Sequence, residues 1–76
     1  MPKLPVVKAK KLIKALLKLG FIVHHQTGSH VQLKHPDGRR TTIPSHASQD
    51  IRKGTLKAII NDVDISVEEL IQTLRR

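Results

Sequence analysis

The sequence has no cysteine, no tryptophan and no tyrosine, and it has a single phenylalanine, Phe21. Without cysteine there is no disulfide and no thiolate metal site, so burial must supply the stability. With one large aromatic ring, the core must come from Leu, Ile and Val. Long apolar runs are missing as well. Stretches such as Ala15 to Leu17 are flanked by Lys14 and Lys18, and none approaches the ~20 apolar residues of a membrane-spanning helix. The opening residues Met1, Pro2, Lys3, Leu4 and Pro5 lack the apolar stretch of a secretory signal. A cytoplasmic location with no membrane partner is therefore expected. Acidic residues are scarce too. Six Asp and Glu face 14 Lys and Arg, giving a formal charge of +8 and a pI near 10.5. Such a field favours polyanions, nucleic acid among them, although excess lysine also serves plain solubility.

What is present is a chain of 76 residues, the size of one small domain, expected to span residues 1–76. A domain of this size buries only roughly 60% of its unfolded surface. There is no repeat, low-complexity stretch or linker. From Lys8 to Leu19, apolar residues recur at helical spacing: Ala9, Leu12, Ile13, Leu16 and Leu17 on one face, Lys8, Lys11, Lys14 and Lys18 on the other. Gly20 follows where a left-handed helix terminator belongs.

Residues 21 to 44 change to a period of two. Phe21, Val23 and His25 alternate with Ile22, His24 and Gln26. After Thr27, Gly28 and Ser29 comes His30 to Lys34. There Val31 and Leu33 are expected inward, and His30, Gln32 and Lys34 outward. Pro36, Asp37 and Gly38 mark a turn. Arg39 to Ile43 reads as a third strand, with Arg40 and Thr42 on the face opposite Thr41 and Ile43. Pro44 to Lys53 is a polar loop. A second helix is expected over Thr55 to Asp62, with Thr55 as its N-cap. A third begins at Ser66, where Ser66 and Glu69 form a capping box. The order is helix, three-stranded antiparallel sheet, helix and short C-terminal helix: an α+β fold with helices on one sheet face. The open face then collects His30, Gln32, Lys34, Arg40 and Thr42. Spacing alone does not separate a binding surface there from an ordinary solvated sheet face.

Five histidines, at 24, 25, 30, 35 and 46, raise the question of a metal. Adjacent residues His24 and His25 of a regular strand point to opposite faces, and no His-x-x-x-His pair sits on a helix. No metal and no other cofactor is expected. Ser29 beside His30 lacks a nucleophile-elbow context, and Gly28 has no phosphate-loop spacing around it. RNA cleavage asks for less, because RNA carries its own nucleophile in the 2′-hydroxyl. It needs a proton-transfer group and positive charge for the crowded phosphorus. Imidazole suits the first task, with an unperturbed pKa of about 6.5, and Lys or Arg the second. His30 with Lys34 and Arg40 offers that set.

The residues also resemble a known family. Leu19-Gly20-Phe21 ends the first amphipathic helix. Gly28-Ser29-His30 follows, then His35-Pro36-Asp37-Gly38-Arg39-Arg40, then Ile43-Pro44-Ser45-His46, then Lys53-Gly54-Thr55-Leu56 with Ile59 and Ile60. This ordered set resembles the HicA toxin family over roughly residues 8 to 70. The resemblance implies a fold like the double-stranded RNA-binding domain. It implies a metal-independent endoribonuclease, an mRNA interferase acting in stress response, and an antitoxin of the HicB type that blocks it. The family's catalytic histidine falls on His30, and Gly28 and Ser29 match the turn that presents it. Gly28, Ser29, Lys34, Arg39 and Arg40 are the expected RNA-binding residues. Ser29, Lys34 and His46 are candidates for a second catalytic group. Where the family pattern often has Arg-Gln just ahead of Gly-Ser-His, this chain has His25-Gln26. A phosphate contact there is either lost or made pH-dependent. Two other readings stay open at this point: a non-catalytic RNA-binding module of the same fold, and a module that binds an acidic protein.

Overall fold

The computed structural model describes residues 3–45 and 50–76. Helix α1 spans Ala9–Lys18, and strands β1 (Ile22–Thr27), β2 (His30–Lys34) and β3 (Arg40–Pro44) follow. Helices α2 (Lys53–Val63) and α3 (Val67–Arg75) complete the fold. The sheet is an antiparallel meander in the order β1-β2-β3. This is the α+β, double-stranded-RNA-binding-domain-like architecture expected from the sequence.

Period-two patterning explains why β2 and β3 face as they do. Val31, Leu33, Thr41 and Ile43 are buried, while His30, Gln32, Lys34, Arg40 and Thr42 are exposed. The inward residues pack with Leu12 and Leu16 of α1, Leu56, Ile59 and Val63 of α2, and Leu70 of α3 around Phe21. All three helices therefore lie on the inner side of the sheet, and among the described residues nothing packs on the outer side. Thr41 is the one buried polar residue of the sheet, and its hydroxyl donates to the Asp62 carboxylate at 3.0 Å, as burial requires.

The apolar stripe of α1 is narrower than its sequence suggests. Ala9, Leu12, Ala15 and Leu16 are buried, but Leu17 is exposed. The stripe rotates past Leu17 because a helical turn holds 3.6 residues. Gly20 adopts φ +98° just past the C-cap. A Cβ there would stand 2.9 Å from the His35 ring, so glycine is needed for both conformation and room.

The second helix starts at Lys53, and its N-cap is Arg52, with no side-chain cap. Thr55 thus lies inside the first turn rather than capping it. A strap sets the start: the Ile51 N–H donates to the Val7 carbonyl at 2.9 Å, and Lys8 pairs with Asp50. At α3 the local signal prevails, since the Ser66 hydroxyl accepts the Glu69 N–H at 3.0 Å.

Candidate functional site

The hairpin between β1 and β2 has a two-residue loop, because Thr27 and His30 are cross-strand partners. Gly28 has φ +51° and Ser29 stays at negative φ. Positive φ at the first central residue alone is the type II′ pattern, whose twist matches the flanking strands. Nothing would crowd a Cβ at Gly28, so its backbone angle is what calls for glycine. The turn places His30 at the first position of β2, exposed and paired on its other side with Pro44 of β3. The Ser45 N–H donates to the Ser29 carbonyl, which hooks the end of β3 to the turn. Ser29 is half-buried beneath this contact. Among the described residues, none hydrogen-bonds or ion-pairs with the His30 ring. His46 lies outside the described residues.

Cross-strand partners share a face, so the register maps the outer surface. One rung holds Thr27, His30 and Pro44. The next holds His25, Gln32 and Thr42, and the far one Ile22, Lys34 and Arg40. Lys34 lies four residues from His30, about 13 Å along an extended strand. The structure therefore joins Lys34 to Arg40 but sets both at the opposite end of the face from His30. Beside them lies a shallow hollow of about 320 Å³, lined by His24, Gln32, Leu33, Lys34, Arg40, Thr41, Thr42 and Asp62.

His24 reaches this hollow because β1 is irregular. Val23 pairs with Leu33 and His25 with Gln32, so His24 is an extra residue in a β-bulge. The expected alternation of His24 and His25 across the strand is broken: His25 shares the outer face with Gln32, and His24 borders the same surface. Nothing in Val23 to Gln26 signals this, since neither glycine nor proline occurs there. Among the described residues no three His, Asp or Glu side chains converge as a metal site.

Arg39 behaves differently from Arg40. Its guanidinium donates to the Val63 carbonyl at the end of α2, and to Asp37 at 2.8 Å. It also lies 5.1 Å from the centre of the Phe21 ring. The α2 helix has no basic residue in its last turn, and Arg39 supplies from outside the positive charge that its carbonyls favour. The Arg39 backbone N–H also donates to Asp37 at 3.0 Å. That bond, followed by the side-chain bond and charge of Arg39, holds the Asp37 carboxyl below its ordinary value. His35 stacks edge-on against Phe21, with ring centres 5.0 Å apart. Its Nδ1 accepts the Asp37 N–H at 3.1 Å. Arg39, His35 and Asp37 thus lock the β2–β3 turn.

Lys11, Lys14 and Lys18 of the first helix do not extend the sheet surface. They line a separate groove with Thr73, Leu74 and Arg76 between α1 and α3. That groove lies on the helical layer, away from the bare sheet face.

Fold and surface together define a small α+β domain, like the double-stranded RNA-binding domain, that presents one turn-borne histidine on an open cationic sheet. The family model for the HicA toxin of bacterial toxin–antitoxin systems matches residues 9–65. The chain belongs to the HicA toxin family, and membership implies a toxin role and a cognate antitoxin. No curated protein matches the sequence. No helix among the described residues is long and apolar enough to cross a membrane.

Proposed function

We propose that this toxin is a metal-independent endoribonuclease that cuts mRNA in the cytoplasm, with His30 as its proton-transfer group and a HicB-type antitoxin as its restraint. The observation that carries this reading is the placement of His30. It is exposed, fixed at a strand start by a II′ turn, and set on the one sheet face that no helix covers.

Cleavage of RNA needs little more than such a group. The ribose 2′-oxygen forms a bond to the adjacent phosphorus as the bond from phosphorus to the 5′-oxygen breaks. One proton must leave the 2′-oxygen and another must reach the departing oxygen. A solvent-facing imidazole can perform either transfer. Lys34 and Arg40 would attract the RNA backbone, while Gly28 and Ser29 shape the turn. Arg39 enters as a strut for the β2–β3 turn. An antitoxin that covered the open sheet face would exclude RNA from His30 and neutralise an unbalanced charge of +8.

The test is cleavage of a single-stranded oligoribonucleotide in the presence of a chelator. His30→Ala is expected to lower the rate by at least about 100-fold, in line with the loss of a general acid or base. Its unfolding midpoint should match the parent's, because the side chain is exposed. Cleavage by His30→Ala at the parental rate would refute the role of His30. RNA bound but left intact by the parent would instead make the protein an RNA-binding module.

A further inference from the structure

We propose that the hollow at the Lys34–Arg40 end of the open sheet face is a phosphate subsite, which grips the RNA chain at a point separate from the phosphate attacked at His30. The inference rests on reading this face as RNA-binding and goes beyond it by naming where the chain is held and by what.

Four observations converge on the hollow. First, the side chains bordering it from the outer face can all donate hydrogen bonds: His24, Gln32, Lys34, Arg40 and Thr42. Second, Lys34 and Arg40 are direct cross-strand partners. Like charges in that position repel and destabilise a sheet, and among the described residues no carboxylate pairs with either. An anion placed between them would convert the repulsion into attraction. The one acid in the lining, Asp62, is engaged by the Thr41 hydroxyl, which donates to it at 3.0 Å. Third, the bulge in β1 brings an additional imidazole, His24, to the same hollow. Bulges often re-aim a side chain in this way beside a functional site. Fourth, the Lys34 end of the hollow lies about 13 Å from His30 along the same strand, farther than one nucleotide step. A polymer with a charge at every residue can occupy both places at once.

The lack of aromatic residues makes such a grip necessary. Proteins that hold single strands usually stack bases on aromatic rings, but the only Phe here, Phe21, is buried. Backbone phosphates, with any base stacked on an exposed His or Arg, are what remains to be held. The volume of the hollow, about 320 Å³, accommodates a phosphate with its water.

Binding rather than cleavage provides the test, so that it stands apart from the catalytic reading. A fluorescent octanucleotide of 2′-O-methyl RNA cannot be cut, and its affinity is read by anisotropy across a salt series. The Lys34→Gln/Arg40→Gln double variant is expected to bind roughly ten-fold more weakly, from two exposed charge contacts. Its salt slope should fall by about 0.7 for each phosphate released. Lys57→Gln, an exposed lysine on α2 away from the sheet face, should change affinity less than about two-fold if position rather than net charge matters. Circular dichroism checks that each variant keeps its fold. An octamer bound equally well by parent and double variant overturns the subsite, as does a parent that binds no octamer at all. In the first case the hollow is left to an acidic protein partner. If the parent cuts no RNA, yet the double variant loses octamer affinity, the subsite stands and the catalytic reading falls.

Discussion

Arg39 offers the sharpest test of how this small domain divides its cationic residues. Replacing it with Met keeps an unbranched apolar stem against Phe21 but removes the guanidinium. The Val63 carbonyl then loses its charged donor, a bond worth about 1.5–3 kcal/mol when well buried. The contact over Phe21, at 5.1 Å, adds about 0.5–1 kcal/mol. The pair with Asp37 contributes close to nothing, because its carboxylate is largely exposed. Arg39 itself is partly solvated, so the lower end of each range applies and the net loss is about 2 kcal/mol. For a domain of this length that corresponds to a fall in Tm of about 8–16 °C. Urea denaturation followed by circular dichroism measures the loss directly, and the affinity of the folded protein for RNA should be unchanged. A variant with the parental midpoint but weakened RNA binding would refute the structural role and return Arg39 to the RNA surface.

Other outcomes follow from the same geometry. Gly20→Ala should destabilise by about 1–2 kcal/mol from its left-handed backbone alone. The clash with His35 adds to that loss, so His35→Ala should recover part of it in the double variant, read from urea midpoints. Ser66→Ala removes the cap of α3 and should cost about 1 kcal/mol, visible as a lower thermal midpoint. Acid should weaken the fold through Asp37. Its folded pKa is depressed, so its contribution is complete above the unfolded value of about 3.9 and is lost as pH falls toward the lower folded value. Asp37→Asn should therefore show a shallower loss of stability across that window than the parent.

Much of this molecule can be read from its residues because one face of the sheet is buried. Val31 and Leu33, then Thr41 and Ile43, must point inward together, and that fixes His30, Gln32, Lys34, Arg40 and Thr42 outward. The Gly28-Ser29 loop and the Ser66 cap are equally local. The place of Arg39 was also open to deduction. It has the parity of Thr41 and Ile43, so it belongs to the inner side, while its neighbour Arg40 does not. Other features depend on partners far along the chain. The start of α2 follows from the strap between Val7 and Ile51, which no residue near Thr55 reveals. The bulge at His24 exists only in relation to β2, since an extra residue is defined by the strand it fails to match. The exposure of Leu17 depends on which flank of α1 its neighbours leave uncovered.

The bulge has one more consequence. Because position 24 has no counterpart across the ladder, the His24-His25 pair can lose one histidine without sliding the rest of β1 out of step. Val23 would still meet Leu33, and His25 would still meet Gln32. Loss of His25 instead would leave the same sequence, since both positions are histidine, whereas loss of Gln26 would set His25 opposite Val31 on the inner face. The sheet thus carries a spare position beside its cationic end, where side chains can be exchanged or dispensed with while the turn that holds His30 keeps its alignment.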